Sequence, residues 1–203
     1  MIGAFCRVEL LDAARHADAL HEVNSADTEG RMWTYLPYGP FSASEYRRWV
    51  ESVQNQPDPM FFAIVTDRPV GVASYLRIDE ANGSIEVGHV AYSPALQRST
   101  AATEAMYLMM RRVFDELGYR RYEWKCDSLN APSRRAAERL GFTYEGTFRQ
   151  ALVRRGRNRD NAWFSIIDSE WPTLRTAFET WLDPSNFDED GRQRRSIASC
   201  RPN

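Results

Sequence analysis

The sequence predicts a mixed α/β fold, a central β-sheet of about six or seven strands flanked by helices. Three observations carry this. Residues 61–92 hold three strand-like runs separated by turn signals. Over 101–117 the apolar residues change to a helical spacing. The succession strand, helix, strand from 84 to 127 then implies a parallel crossover, so the sheet is mixed.

Taken in order, residues 5–11 alternate as a short strand, and Asp12 caps a helical stretch to about Asn24. A long connection over 25–41 gathers Trp33, Tyr35, Tyr38 and Phe41 around Pro37, Gly39 and Pro40. Ser42 with Glu45 three residues on is a capping box, opening a helix through Val53. Strands follow at 61–66 and 70–78, joined by Asp67-Arg68-Pro69, and Asn82-Gly83 leads into a third strand at 84–92. The helix over 101–117 is set by Ala102, Met106, Met109, Val113 and Leu117, with Gly118 placed to end it. A strand at 121–127, a helix at 131–140 ended by Gly141, and strands at 142–153 and 161–168 complete the core. A last helix at 170–182 closes a single domain of residues 1–183. The polar tail 184–203 is expected to be only partly ordered.

Composition excludes several classes. A formal net charge of -2 gives no field that would draw in nucleic acid or a membrane surface. No run approaches the roughly 18 apolar residues of a membrane span, and the first residues lack a signal-peptide layout. Cys6, Cys126 and Cys200 have neither disulfide-framework nor metal-ligand spacing, so the expectation is a reduced, cytoplasmic protein without a metal.

The informative stretch is GHVAYSPALQRSTAATEAM, a strand running through a tight turn into a helix. Successive N–H groups at Gln97, Arg98, Ser99, Thr100, Ala101 and Ala102, with the positive end of a helix dipole, suit an anion such as a diphosphate. An ordinary turn with small residues for close packing fits the segment equally. Further on, Asn130, Ser133 and Leu140-Gly141-Phe142 bracket a helix, with Asn130 as an N-cap and Gly141 as a C-cap.

Both segments resemble motifs of the GNAT superfamily of N-acetyltransferases. The first is similar to its acetyl-CoA pyrophosphate loop: glutamine or arginine, two residues, glycine, one residue, then glycine or alanine. Gln97 stands first and Ala102 last, while Thr100 occupies the glycine position. The second is similar to the motif whose asparagine and small residue, here Asn130 and Ser133, contact the pantetheine arm. The order of elements matches the superfamily to about residue 183, and IEVGHV, TEAM and NAPSRRAAERLGFTYEG look most like its RimJ/RimL branch.

The resemblance implies transfer of acetyl from acetyl-CoA to a primary amine by direct attack. Such an amine is mostly protonated at neutral pH, so a general base is useful. Glu86, eleven residues before Gln97, stands at the offset of the base in the histone-acetyltransferase branch. A solvated glutamate or an arginine's partner is the structural alternative. His89 is a second candidate base. The backbone of Val90 to Tyr92 is expected to pair with the pantetheine amides. The tyrosine that many members use as general acid is Ala137 here, which leaves Ser133 as substitute or as a first-turn cap. Cys126 admits a covalent route, without a base beside it in sequence.

Trp33, Tyr35 and Tyr38 are expected either to wall the acceptor pocket, attracting a cation by their ring faces, or to pack as a hydrophobic lid. The run Arg154-Arg155-Gly156-Arg157-Asn158-Arg159-Asp160 reads as a solvated hairpin turn that could also meet an acidic partner or a second subunit, leaving a homodimer open. A protein N-terminus, a small-molecule or antibiotic amine, and a catalytically quiet CoA-binding domain remain the competing functions.

Overall fold

The computed structural model describes residues 1–202. Among them are seven strands and five α-helices, the mixed α/β class that the sequence predicts. They fall into two compact units, one of residues 1–81 and 85–109, the other of residues 82–84 and 110 onward.

In the first unit, β1 (Arg7–Leu10), β2 (Met60–Val65), β3 (Pro69–Asp79) and β4 (Ser84–Tyr92) lie in that order, and β2 is antiparallel to both β1 and β3. All of β2 from Phe61 to Val65 is buried, as its unbroken apolar run requires. Helix α1 (Ala13–Asn24) buries Ala13, Ala17, Leu20 and Asn24, three and four residues apart. Asp12 caps it by accepting the Arg15 N–H. Helix α2 (Ala43–Val53) opens on the predicted capping box and buries Tyr46, Val50 and Val53. These faces meet Phe61, Ala63, Val72 and Ala91 in one apolar cluster. Trp33, on a 3₁₀ turn (Arg31–Trp33), belongs to that cluster, so the long aromatic connection is part of the core.

Helix α3 (Thr100–Arg111) turns its Glu104 carboxylate inward, where it accepts the N–H groups of Ala4, Phe5 and Cys6, each at 2.7 Å. A Cβ at Gly3 would collide with that carboxylate, which explains the glycine. Burial and the nearby Glu104 charge push the Cys6 thiol up to about 12, so this sulfur stays a neutral, inert packing group. The predicted helix to 117 is α-helical only to Arg111 and widens into a π turn at Arg112–Glu116.

The second unit carries β5 (Arg121–Asp127), β7 (Arg157–Ile167) and β6 (Thr143–Arg154) in that spatial order, all antiparallel. β5 alternates strictly, burying Tyr122, Trp124 and Cys126. Helix α4 (Ala131–Leu140) runs from its Asn130 cap to Gly141 at φ +99°, the left-handed stop that favours glycine.

Two expectations need correction. The turn predicted across 154–160 is only Arg155-Gly156, both with positive φ, and Arg157 to Asp160 continue as strand. This is the two-residue turn whose twist matches the flanking strands. The tail expected to be partly ordered packs onto α5 (Trp171–Leu182). Ile197 and Cys200 are buried, Trp181 Nε1 donates to Gln193 at 2.8 Å, and Asn186 donates to the Trp181 carbonyl at 2.9 Å. A charged tail is held in this way by a few buried apolar residues and by contacts of Gln193 and Phe187 with Trp181.

Candidate active site

β4 changes character along its length. Ile85, Glu86 and Val87 are buried, and Gly88, His89 and Val90 are half-buried. His89 takes φ +50°, a left-handed residue inside a strand that breaks the regular alternation. On a regular strand a residue three places beyond Glu86 would face the other side, and the left-handed backbone at His89 removes that rule.

Glu86 is 3% exposed, and its Oε2 accepts from Arg77 Nη1 at 2.6 Å. It is a buried carboxylate with an arginine partner, not a solvated one. Arg77 is itself at φ +50° on β3, and Asp58 holds it there. The Asp58 carboxylate accepts the N–H of Arg77 at 3.0 Å and of Ile78 at 3.1 Å. Nothing in the sequence pattern marked Asp58 or Arg77; their roles depend on a strand irregularity that only pairing reveals. Glu86 Oε1 lies toward Gly88, 3.5 Å from where a Cβ would stand there.

After half-buried Tyr92, the chain turns through Ser93 and Pro94 into α3. Within the turn, the Gln97 N–H donates to Ser93 O at 3.1 Å and the Ser99 N–H to Leu96 O at 3.2 Å. Ser99 caps the helix, its Oγ accepting the Ala102 N–H at 3.1 Å. Gln97 Nε2 donates to Tyr92 O at 2.9 Å, tying the turn to the strand end. Three of the six N–H groups are thereby used. Those of Arg98, at φ +61°, and of Thr100 and Ala101 find no acceptor among the described residues. Open donors at a helix start attract an anion.

The aromatic residues divide. Trp33 is 5% exposed and edge-packed against Tyr38, Phe41 and Tyr46, so it follows the packed alternative. Tyr35 is half-buried. Tyr38 stacks on His89 with rings 5° from parallel, and its hydroxyl meets His89 Nδ1 at 3.0 Å. Burial pushes the Tyr38 hydroxyl up, so the phenol keeps its proton.

In the second unit, Asn130 Oδ1 accepts the Ser133 N–H at 3.1 Å, so its capping role is real. Ser133 Oγ accepts from the Trp124 indole at 3.0 Å, a partner the sequence did not disclose. Burial raises the Cys126 thiol despite a hydrogen bond with Ser133, leaving it a poor nucleophile. Ala137 is fully buried. Among the described residues no group of histidine, cysteine, aspartate and glutamate side chains could hold a metal ion, and no helix is long and apolar enough to cross a membrane.

The family profile described as the acetyltransferase (GNAT) domain matches residues 7–143. The chain belongs to the GNAT family. A GCN5-related N-acetyltransferase from Brucella melitensis superposes with a TM-score of 0.96 at 45% identity, covering 98% of this chain and 92% of that one. A probable acetyltransferase of the GNAT family from Chromobacterium violaceum is 43% identical with a TM-score of 0.79, over 84% of this chain and 87% of that one. The SPbeta prophage-derived uncharacterized N-acetyltransferase YokL of Bacillus subtilis is 29% identical over 133 residues, 65% of this chain and 75% of its own. As a GNAT protein, the chain is an acetyl-CoA-dependent N-acyltransferase. The crowded strand-to-helix turn lies inside the matched span, as do Glu86, His89, Asn130 and Ser133.

Proposed function

We propose that this GNAT protein acetylates a primary amine at a protein or peptide N-terminus, in the manner of RimJ/RimL-type enzymes. One observation carries the cofactor half of this reading: the N–H groups of Arg98, Thr100 and Ala101 stand open at the start of α3. They fit the diphosphate of acetyl-CoA, which supplies an acetyl thioester. Gln97, Ser99 and Ala102 shape the cradle through their own internal bonds. Thr100 in place of glycine is compatible, because its N–H is among the open ones. The backbone from Val90 to Tyr92, whose first and last residues are half-buried, pairs with the pantetheine amides as an added strand. For Asn130 and Ser133, in the second unit, a pantetheine role follows from the motif resemblance alone.

Glu86 takes the proton from the incoming ammonium, directly or through water, with Arg77 fixing its carboxylate. Holding both substrates in line supplies much of the remaining acceleration. Ser133, which already accepts from Trp124, donates a hydrogen bond toward the departing sulfur rather than a full proton. Tyr35 and Tyr38, both half-buried, wall the acceptor pocket, and the buried Trp33 packs edge-on against Tyr38. Residues 1–183 carry the whole activity, and three free thiols support a cytoplasmic setting.

The RimJ/RimL assignment rests on the resemblance of IEVGHV, TEAM and NAPSRRAAERLGFTYEG, and a small-molecule amine is the competing acceptor. Release of free CoA thiol across a panel of N-terminal peptides and small amines decides between them. Turnover with peptides at kcat/KM well above that for any free amine is expected; the reverse order would reassign the enzyme to small molecules.

A further inference from the structure

The β6–β7 hairpin ends in a concentration of positive charge that the fold does not need. Between residues 149 and 160 stand five arginines and one aspartate, in a chain whose formal net charge is -2. Arg159 is used internally: it is largely buried, donates to Asn161 at 2.9 Å and lies 3.9 Å from Asp127. Arg154 and Arg157 differ. They face each other across the strand pair beside the Arg155-Gly156 turn, and neither has an ion-pair partner among the described residues. Like charges directly opposite each other weaken a hairpin. A glutamate at either position would relieve that, so the arrangement calls for an explanation beyond folding.

The same segment exposes apolar surface. Phe148, Leu152 and Val153 are 59%, 42% and 79% exposed, and they alternate with or adjoin the arginines. β6 is the last strand in the order and pairs only with β7, so its other edge carries no strand among the described residues. Such an edge is usually shielded by a short length, a proline or inward charge. β6 has twelve residues and no proline; it is interrupted between Tyr144 and Gly146 and again between Phe148 and Leu152, where the Gln150 N–H donates to Asp160 at 2.7 Å, and it pairs regularly from Leu152 to Arg154.

We propose that this edge docks an acidic polypeptide segment in extended form. Its main chain would pair with β6 between the second interruption and the turn, its carboxylates would meet Arg154, Arg157 and Arg149, and its apolar side chains would cover Leu152 and Val153. Strand addition supplies affinity through main-chain bonds and selectivity through alternate side chains. The charge complementarity names an acidic partner, and the exposed valine and leucine between the arginines favour polypeptide over a nucleic acid, whose backbone offers nothing apolar there. A second copy of this chain would bring the same arginines to the edge and meet repulsion. The inference does not depend on which amine accepts the acetyl group.

The test uses the full chain and a fluorescein-labelled peptide alternating glutamate and valine, read by anisotropy at low and high salt. Binding that weakens with salt is expected. R154E/R157E should weaken it about tenfold or more, since two attractions become repulsions, and Val153→Asp should weaken it independently. Circular dichroism and CoA affinity of both variants should match the parent, which separates lost docking from lost folding. Absent binding, or equal binding by R154E/R157E, overturns the inference. So does a duplex RNA that binds the tip and displaces the peptide, or a parental dimer that R154E/R157E converts to monomer.

Discussion

Arg77 Nη1 lies 2.6 Å from Glu86 Oε2, joining a half-exposed guanidinium to a carboxylate that is 3% exposed. Both ends of this pair sit at irregular strand. Arg77 takes φ +50° under the grip of Asp58, and His89, three residues beyond Glu86, takes φ +50° as well. A buried carboxylate beside a strand break is held in one orientation, at the point where β4 becomes accessible.

Arg77→Met should destabilise the fold by about 1–3 kcal/mol, the cost of leaving a buried charged group short of a partner. In a double-mutant cycle with Glu86→Gln, urea denaturation should show the two losses to be less than additive. Strict additivity would mean that the pair contributes nothing as a pair.

Thr100→Pro should weaken CoA binding by calorimetry about 10- to 100-fold, the loss of one hydrogen bond to a charged acceptor. Proline is well tolerated at the first helical residue, so the fold should persist. Thr100→Gly keeps the N–H and should bind as the parent does. Unchanged affinity in Thr100→Pro places the diphosphate elsewhere.

Much of the fold was legible because it rests on short-range pattern. The 3.6-residue spacing of α1, the capping box at Ser42 and the Asn82-Gly83 turn into β4 each declare themselves locally. The site was legible in its turn and its glutamate, and illegible in what steadies them. Asp58, Arg77 and Trp124 act across strands or from a strand to a helix, and no local spacing encodes such partners. The tail was misjudged because its charge hid Ile197 and Cys200, two residues that α5 buries. For Trp33 two alternatives stayed open, because an aromatic in a connection looks the same whether it walls a pocket or fills a core; packing favours the second.

Acid stability should depend on Arg121. Its guanidinium meets Glu145 at 2.6 Å, and with the Ser165 hydroxyl it holds that carboxyl at about 2, against an ordinary 4.5. The folded pKa is depressed, so the contribution is fully present above the unfolded value and fades as pH falls from about 4.5 toward 2. Arg121→Met should therefore be less stable than the parent at neutral pH, with the gap closing through that window. A gap independent of pH would assign the effect to packing alone.

Ile197→Ala should cost about 2–4 kcal/mol in urea denaturation, since a buried isoleucine leaves a cavity beside α5. Truncation after Asp183 should lower stability by at least as much. Parental stability in either variant would return the tail to a dispensable role.

The measurement closest to the centre is the pH–rate profile of Glu86→Gln with a saturating amine. Glutamine keeps the shape and the reach to Arg77 but cannot take a proton. At neutral pH kcat should fall by about 10²–10⁴-fold, the usual share of a general base, and the deficit should shrink as pH rises and free amine appears. CoA affinity should stay at the parental value, which separates chemistry from binding. A variant that turns over at the parental rate across the profile, still folded and still binding CoA, would show that Glu86 is Arg77's structural partner and that the proton leaves by another route.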